Sequence, residues 1–592
     1  MKKFCILFIT IICCWNCASV YAETAPKKES IKYPCFVATN TTNIEIKKIT
    51  RLDDQTRVEA IIYDKPGSIF TISPQTYLYT DTQRFTILND SMTFDKLIAT
   101  DTIPQSGELH TTFLFAPIPK GIHSVNFTNE EKGWTIWDLQ LTDIEPYVFL
   151  PSFLKNTVEK QQTKLPDPIL KNEKVIINGY LLGYDPQIEL NVFFYHTNWL
   201  NTQNKGENVK IREDGSFHIE SNFLSPSNAM LRINNATLNF FVTQGEEMTI
   251  YIHLPRLSMS HTRLLKNTYA QQQKAWFDGK EENLNNELAT WGYPLSITQT
   301  DNYEKNTKNL SAEAYKTCLY KTLKSVENSL ANNKNIGEVY RNYVLANLKV
   351  SAAVLCAEKG LPISTIDDPY LYYTSDYAAY LNFIERDKGL LPAFWKDIKK
   401  AKSVYQYWLE QSKLNSDTKD SLHAIDNQEI KAYVEENMQK RQAISNQIKS
   451  AHGYVIAELD TTVSGSDILP AIISQHRGKA ILIDFWATWC TPCMKSMKAI
   501  LPLKKELSAR DVVYIYITGP SSPFETWKSA ITEIKGIHYR VTKAQWDALC
   551  KTYGIKGIPG YLIISYDGKL QDQYVGFPGT TVLKEDLLRA FK

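Results

Sequence analysis

The sequence predicts a multidomain protein with N-terminal β-sandwich-like modules, an α-helical middle region and a C-terminal α/β domain. A chain of 592 residues is too long for one hydrophobic core, and about three or four domains are expected. Short segments of strand composition, separated by polar turns, occur up to residue 256, and apolar residues then recur with helical spacing from 260 to 450. Beyond residue 455 a largely apolar segment leads through a short turn into a helical one, as in α/β domains.

The N-terminus has the pattern of a secretory signal peptide over residues 1–22. Lys2 and Lys3 form its positive start, residues 4–17 are mostly apolar, and Ala22 ends a cleavage site of small residues. The apolar run is too short to span a membrane, so cleavage and export to the periplasm are expected. A buried N-terminal helix is the alternative interpretation.

Net charge and the first cysteines limit the choice of partners and anchors. The formal charge of +2 offers no general attraction for nucleic acid, so nucleic-acid binding is not expected. Cys14 and Cys17 would permit a lipid anchor, but the residues before them are not the small residues of a lipoprotein cleavage site. Lipid anchoring therefore stays the lesser alternative.

Two β-rich domains are predicted in the N-terminal part. Residues 33–150 contain strand segments such as 58–63, with polar turns between them, as in a β-sandwich. Residues 168–256 form a second β-rich domain, in which 174–180 and 248–253 have strand composition. Such modules are common on exported proteins, but the fold alone assigns them no function.

Residues 260–450 are predicted to be α-helical. Segments 312–330 and 340–356 flank a loop rich in helix-breaking residues, so they are expected to form an antiparallel pair. Cys318 and Cys356 fall on these segments, but the turn between them leaves the two thiols out of register, so free buried thiols are expected and a structural disulfide is the alternative. Further helical segments cover residues 378–386, 395–411 and 427–450.

The residues that indicate a chemical function lie in the C-terminal domain, residues 455–592. The apolar run 480–485 suits a buried central strand, and a short turn leads to Cys490 and Cys493 at the start of the helical segment 494–508. A CxxC pair alone is a weak signal. Its position between a strand and a helix makes it a specific one.

The spacing places two thiols one helical turn apart at a helix N-terminus. Unpaired N–H groups and the positive end of the helix dipole favour the thiolate of Cys490, and Pro492 is tolerated in the first turn. Cys493 is close enough to bridge Cys490 yet shielded from solvent. We therefore expect Cys490 to attack a substrate disulfide and Cys493 to resolve the mixed disulfide. A zinc half-site or packing cysteines are the alternatives, but the sequence shows no second ligand pair, and neither a metal nor another cofactor is predicted.

The segment DFWATWCTPC, which contains both cysteines, resembles the active-site strand and loop of the thioredoxin superfamily, in particular the exported TlpA/ResA-like branch. The resemblance covers about residues 455–592 and implies a thioredoxin-like fold. Residues 557–560, Gly-Ile-Pro-Gly, resemble the cis-proline loop of this family, so Pro559 is expected to be cis. The residues that the resemblance implies in substrate binding are Trp489, Thr491, Pro492, Ile558 and Pro559.

Asp484 matches the buried aspartate of cytosolic-type thioredoxins. A desolvated carboxyl with a raised pKa would take the proton from Cys493 as it attacks, so Asp484 is the third catalytic candidate. A solvated aspartate at the end of a strand is the alternative. The chain departs from the branch at Ser496, where the branch carries Glu, and at Lys498, where it carries Pro. These departures shift acid–base work onto Asp484 and predict an unkinked helix.

Residues 521–553 form an insert that the branch also contains. Two helices are predicted in it, one with Trp527 and the other with Trp546 and Cys550. The insert is expected to shape substrate access. We interpret Cys550 as a small buried helix residue rather than as an additional redox partner.

These features predict a periplasmic thiol–disulfide oxidoreductase that acts on protein substrates carrying disulfides or thiols. The resemblance implies a reductase rather than an oxidase. A reductase would need an electron donor, and the resemblance implies a membrane thiol–disulfide transporter. Two alternatives stay open: a binding or scaffold protein with a redox-sensing thioredoxin module, and a disulfide oxidase or isomerase. The substrate, the oligomeric state, the states of Cys35 and the remaining single cysteines, and the role of residues 33–450 stay open.

Overall fold

The structure is a computed structural model. It describes residues 30–88, 99–155, 164–196, 200, 206–300, 302–362, 365–374, 376–388, 393–411, 415–450, 454–457, 463, 467–522 and 524–591. The expected signal peptide, residues 1–22, and the anchor candidates Cys14 and Cys17 lie outside the described residues. Within the described ranges, no helix has both the length and the apolar character that crossing a membrane requires.

The N-terminal β domain is built mainly from two antiparallel sheets. Their strand orders are β1-β3-β4-β9 and β2-β11-β10-β6-β7, and β5 pairs with β8. Along β9, buried and more exposed residues alternate, so one face of the sheet covers the core. Phe113, Phe115 and Phe127 pack edge-on or offset in that core. The strands are β1 (Ser30–Lys32), β2 (Ala38–Thr39), β3 (Ile44–Arg51), β4 (Thr56–Tyr63), β5 (Ile69–Ile72), β6 (Thr76–Tyr79), β7 (Arg84–Thr86), β8 (Ala99–Thr102), β9 (Glu108–Phe115), β10 (Ser124–Asn129) and β11 (Trp134–Gln140).

After the short helix α1 (Ser152–Lys155), a second β domain pairs its strands in the orders β15-β12-β18-β19 and β14-β13-β16-β17. This domain runs to residue 278, beyond the predicted boundary at 256, because β19 pairs with β18. Four residues are too few to show a strand pattern, which explains why β19 fell inside the predicted helical region. The strands are β12 (Glu173–Leu182), β13 (Val192–His196), β14 (Glu207–Asn208), β15 (Ser216–Phe223), β16 (Ser227–Ile233), β17 (Ala236–Val242), β18 (Glu247–His253) and β19 (Ala275–Asp278).

The middle region is helical, and its largest apolar cluster includes Tyr340, Tyr343 and Trp395. The expected pair is present as α6 and α7, which contact each other. Cys318 and Cys356, on these two helices, are free thiols as expected, although Cys318 is only half-buried. Helix α10 lies inside the predicted helical region but was not among the segments named there. The helices are α2 (Leu254–Met259), α3 (Lys266–Tyr269), α4 (Glu282–Trp291), α5 (Tyr303–Thr307), α6 (Ala312–Asn332), α7 (Glu338–Glu358), α8 (Tyr377–Lys388), α9 (Ala393–Gln411), α10 (Ser416–His423) and α11 (Gln428–Ser450).

The C-terminal domain has one sheet of order β20-β23-β22-β21-β24-β25. The strands β20 to β23 pair in parallel, whereas β24 and β25 are antiparallel to their neighbours. All six residues of β21 are buried, as the apolar run predicted. This arrangement is the expected thioredoxin-like fold. Its strands are β20 (Tyr454–Ile456), β21 (Ala480–Phe485), β22 (Val512–Thr518), β23 (Gly536–Arg540), β24 (Gly560–Ile564) and β25 (Leu570–Val575).

The insert of this domain differs from the prediction in one element. It contains the expected helices, which are α14 with Trp527 and α15 with Trp546, but it also contributes strand β23 between them. The unkinked form of α13 stays a prediction, and the helix contains Pro502, which cannot donate a backbone hydrogen bond. The helices are α12 (Ile468–Ser474), α13 (Thr491–Glu506), α14 (Phe524–Ile531), α15 (Lys543–Thr552) and α16 (Thr580–Arg589).

Candidate redox site

Cys490 and Cys493 lie at the N-terminus of α13 and are joined by a disulfide. Cys490 is the N-cap residue, and the backbone N–H of Cys493 donates to its Sγ over 3.2 Å. Met494 donates to the Cys490 carbonyl at 3.1 Å, which closes the first helical turn. Thr491 is the first residue of the helix, and Pro492 lies in the first turn. The helix start directs its free N–H groups and the positive end of its dipole at the sulfur of Cys490.

Both sulfurs are set in an apolar cluster. Cys490 is 3% exposed and Cys493 is fully buried, among side chains that include Trp486, Met497 and Trp527. A thiol in such surroundings reacts only with a group that enters through an opening beside it. Trp489, which precedes the first cysteine, is 47% exposed and borders that opening.

The loop before β24 lies in front of the cysteines. The peptide bond between Ile558 and Pro559 is cis, as expected, and the carbonyl of Pro559 accepts a hydrogen bond from Gly576. Ile558 is half-buried and packs against the cluster that contains both cysteines. Of the five residues implied in substrate binding, the structure brings Trp489, Pro492 and Ile558 together with Cys490 around one cavity.

Asp484 lies on the central strand β21 and is buried, unlike the solvated aspartate considered as the alternative. It is paired in register with Tyr516 of β22 on one side and Tyr561 of β24 on the other. Neither carboxyl oxygen has a hydrogen-bond partner among the described residues. Burial therefore raises the pKa of Asp484 well above its usual value, and the positive charge of Lys504 opposes the rise.

Lys504, on α13, is a residue that sequence reasoning missed. Its ammonium group donates to the carbonyl of Lys535 at 2.6 Å and lies 4.6 Å and 4.8 Å from the ring centres of Tyr514 and Tyr516. Burial lowers the pKa of Lys504 to about 8, and the Asp484 carboxylate works against that shift. Helical spacing from Cys493 puts Lys504 on the inner side of the helix, but the sequence alone does not pair it with a strand residue.

Ser496, at a position where the resemblance predicts glutamate, is part of a buried chain of hydrogen bonds. Its hydroxyl donates to the carbonyl of Cys493 at 2.9 Å, and the hydroxyl of Tyr561 donates to Ser496 at 2.7 Å. Burial and the charge of Asp484 raise the pKa of Tyr561 far above its usual value, so its hydroxyl keeps its proton. These hydrogen bonds connect Cys493 to Tyr561, the strand residue that lies beside Asp484.

The structure does not bring Cys550 to the redox pair. Its half-buried thiol packs on the opposite cluster of the domain, with Phe485 and Leu549, and burial raises its pKa. That position agrees with a packing residue on α15, although the side chain is only partly covered. Cys35 and Cys356 are likewise free, and burial raises the pKa of each.

The wall opposite Cys490 comes from the two N-terminal β domains. A cavity of about 520 Å³ lies between them and the redox site, and its lining includes Lys132, Gly133 and Arg232. No motif in the sequence pointed to these residues, because they lie more than 250 positions from the cysteines in the chain.

Comparison with known proteins assigns the C-terminal domain. The Redoxin family model matches residues 462–588. The chain is 26% identical over 128 residues to the thiol-disulfide oxidoreductase ResA of Bacillus thuringiensis, an alignment that covers 22% of this chain and 69% of that protein. It is 34% identical over 92 residues to Thioredoxin-1 of Caenorhabditis elegans, covering 15% of this chain and 56% of the relative.

Among solved structures, a thiol:disulfide interchange protein of the thioredoxin family from Chlorobium tepidum aligns with 20% of this chain and 84% of its own. The identity is 22% and the TM-score 0.19. A score this low supports no argument about function, so the family assignment rests on the sequence matches.

Proposed function

We propose that the chain is a periplasmic thiol–disulfide oxidoreductase that exchanges disulfides with protein substrates through Cys490 and Cys493. Residues 462–588 form a redoxin domain of the thioredoxin superfamily, of the ResA-like branch, and a long N-terminal extension precedes it. The observation that carries the proposal is the bonded cysteine pair at the start of α13, open to one cavity. An oxidoreductase activity agrees with the relatives of this domain.

The exchange proceeds in two steps from the reduced pair. The thiolate of Cys490 attacks one sulfur of a substrate disulfide, forms a mixed disulfide and releases the other substrate sulfur as a thiolate. Cys493 then attacks the sulfur of Cys490, and the second substrate thiolate leaves. Two electrons have passed to the substrate, and the enzyme holds the disulfide that the structure contains.

Asp484 is proposed to take the proton of the Cys493 thiol in the second step. Its raised pKa favours such a transfer, since a general base works best when its pKa lies near the working pH. Tyr516, its neighbour in register, packs in the same apolar cluster as both cysteines, which supports this role for the carboxyl.

Substrate backbone is proposed to bind beside the cis-proline loop. Ile558 and Pro559 would align the substrate next to Cys490, with Trp489, Thr491 and Pro492 on the other side. Ile558, Trp489 and Pro492 line the cavity that Cys490 opens into, which supports this placement.

We propose further that the enzyme works as a reductase outside the cytoplasm and receives electrons from a membrane thiol–disulfide donor. A reduction potential near that of thioredoxin, measured against glutathione, would agree with a reductase. A potential far above it would indicate an oxidase or isomerase instead.

Disulfide reduction by the full-length chain tests the enzymatic proposal. The chain, reduced with dithiothreitol and freed of reductant, should reduce the disulfides of insulin, and Cys490→Ser should abolish that activity. Cys550→Ser is the matched control and should react like the unmodified chain. Equal rates for Cys490→Ser and the unmodified chain would overturn the proposal and favour a binding protein with a redox-sensing domain.

Trapping in cells tests whether the substrates are proteins. Cys493→Ser leaves the mixed disulfide unresolved, so captured partners should separate from the chain only under reducing conditions. If the variant holds small thiols alone, the protein-substrate part of the proposal is wrong.

A further inference from the structure

The redox site faces a cleft rather than open solvent. The cleft holds the cavity of about 520 Å³, whose near wall consists of the redox-domain residues Trp489, Cys490, Pro492 and Ile558. Its far wall comes from both β domains, and the residues there are Asn40, Thr41, Thr42, Asn43, Ile44, Ile62, Tyr63, Asp64, Ile69, Phe70, Lys132, Gly133, Trp134, Asn191, Arg232, Asn234 and Asn235.

Direct contacts hold the redox domain against this wall. Thr526 of α14 donates to the carbonyl of Gly206 at 2.7 Å, in a buried position. Lys495 of α13 pairs with Glu189 at 3.0 Å. The turn between β10 and β11 approaches the active-site loop so closely that a methyl group built on Gly133 would lie 3.7 Å from Cβ of Pro492. These contacts place the redox domain against both β domains, with the cleft between them.

The size of the cleft limits the kind of substrate. Cys490 is only 3% exposed, so a substrate disulfide must enter the cleft to reach it. A cavity of about 520 Å³ falls in the range of pockets that hold small molecules, roughly 300–1,000 Å³. A cavity of this volume accommodates a few residues of an extended chain.

The charges of the cleft are unequal. Among the residues that the structure describes, its charged lining residues are two cations, Lys132 and Arg232, and one carboxylate, Asp64. The backbone N–H of Lys65 already donates to the Asp64 carboxylate, and the ammonium group of Lys132 lies 5.4 Å from the ring centre of Phe70. The cleft therefore favours an anionic group over a cationic one.

Arg232 is the cation best placed to bind such a group. It lies opposite Phe193 in the β13–β16 pair, and its guanidinium is 5.1 Å from the Phe193 ring centre and 5.8 Å from that of Tyr195. Both distances lie within the range of a cation–π contact, so the two rings support the guanidinium from below the cleft surface. Its Nε is buried and has no hydrogen-bond partner among the described residues. A carboxylate is the partner that a guanidinium binds most strongly, through two parallel hydrogen bonds.

We propose that the cleft binds extended peptide segments in which an acidic side chain lies next to the disulfide-bonded cysteine, and that Arg232 binds the carboxylate. This inference rests on the proposed function of Cys490, because it assigns the substrate of the same site. The N-terminal extension then acts as the specificity module of the enzyme, selecting flexible acidic segments before disulfide exchange begins.

Three disulfide-linked dimers of an unstructured heptapeptide test the inference. They are identical except for the residue before cysteine, which is Glu, Gln or Lys, and each is mixed with the reduced full-length chain. The unmodified chain should react about tenfold faster with the Glu peptide than with the Lys peptide, which corresponds to about 1.4 kcal/mol. Added salt should reduce that ratio, because it screens the ion pair.

Substitutions of the charged residues in the cleft test whether Arg232 causes the preference for the Glu peptide. Arg232→Gln should lower the ratio of Glu to Lys rates to about twofold, and Arg232→Lys, which keeps the charge without the paired donors, should give an intermediate ratio. Asp64→Asn, at an exposed position, should raise the ratio of Glu to Lys rates. This variant tests the inference even if Arg232→Gln does not fold. Arg57→Gln removes an exposed arginine outside the cleft and is the matched control.

Two failures remain distinguishable. If Cys490→Ser reacts with the peptides as fast as the unmodified chain, the proposed function itself is wrong. If Cys490→Ser is inactive but the ratio of Glu to Lys rates is the same in the unmodified chain, Arg232→Gln and Asp64→Asn, then only the inference about the cleft is overturned.

Discussion

The substitution Asp484→Asn removes a titrating group from the centre of the redoxin sheet with little change of shape. The carboxyl is buried on β21, and its two oxygens have no hydrogen-bond partner among the described residues. An asparagine at this position is also unpaired, but it carries no charge at any pH. The difference between the two proteins therefore reports the cost of ionising a buried carboxyl.

The direction in which stability changes with pH follows from the raised pKa of Asp484. Below the ordinary aspartate value of 3.8 the group is neutral in both the folded and the unfolded chain, and the two proteins should be about equally stable. As the pH rises toward the raised pKa, the unfolded chain loses the proton first, so the unmodified protein loses stability and the variant does not. An unpaired buried polar group costs about 1–3 kcal/mol, and more when it is charged. We expect Asp484→Asn to be more stable by at least about that amount at neutral pH.

Urea unfolding at pH 4, 5.5, 7 and 8 measures this difference. Asp567→Asn is a matched control that should lower the stability rather than raise it, because hydrogen bonds from Lys569 and Ser565 lower the pKa of the exposed Asp567 to about 2. That aspartate contributes stability above pH 3.8 that is lost as the pH falls through about 2. Should the stability gain of Asp484→Asn be the same at pH 4 and pH 8, ionisation of the buried carboxyl would not be its cause.

Two further substitutions test the surroundings of the redox pair. Ser496→Ala should destabilise the protein by about 1–3 kcal/mol, because it leaves the hydroxyl of Tyr561 buried without a partner. In urea unfolding, the added change Tyr561→Phe should recover part of that lost stability, and no recovery would contradict the chain of hydrogen bonds. Lys504→Met removes the charge that lowers the pKa of Asp484, so the pH at which the exchange rate rises should move upward in stopped-flow measurements. Lys505→Met, at the exposed neighbouring lysine, is the control. If both variants give the same pH profile, Lys504 does not influence the acid–base step.

The C-terminal site was largely predictable because its parts follow one another in the chain. A buried strand, a turn, the pair Cys490 and Cys493 and a helix occupy fewer than thirty consecutive residues, and each has a local pattern. Asp484 was predictable for the same reason, since it lies within the apolar run that becomes β21. Local order of this kind needs no knowledge of tertiary contacts.

The cleft and the charge beside Asp484 could not be predicted in this way. Arg232 and Gly133 reach the redox site only because two β domains dock against it, and an isolated arginine in a strand has no distinctive pattern. Lys504 belongs to an ordinary amphipathic helix, and its effect on Asp484 depends on how that helix crosses the sheet. The short strands β19 and β23 were missed because four or five residues are too few to show a period.

Serine at position 496, where the resemblance predicts glutamate, bears on how the two steps of the proposed reaction divide. The hydroxyl of Ser496 already donates its one proton to the carbonyl of Cys493 and accepts the proton of Tyr561, so it has no role as a base near neutral pH. Asp484 lies directly beside Tyr561 in the sheet and is the carboxyl whose pKa burial raises at this place. If Asp484 is the base for Cys493, proton transfer takes place inside the redoxin domain, while substrate selection takes place at the cleft that Arg232 lines. Substitutions at Asp484 should then change the pH profile without altering peptide preference, and substitutions at Arg232 should do the reverse.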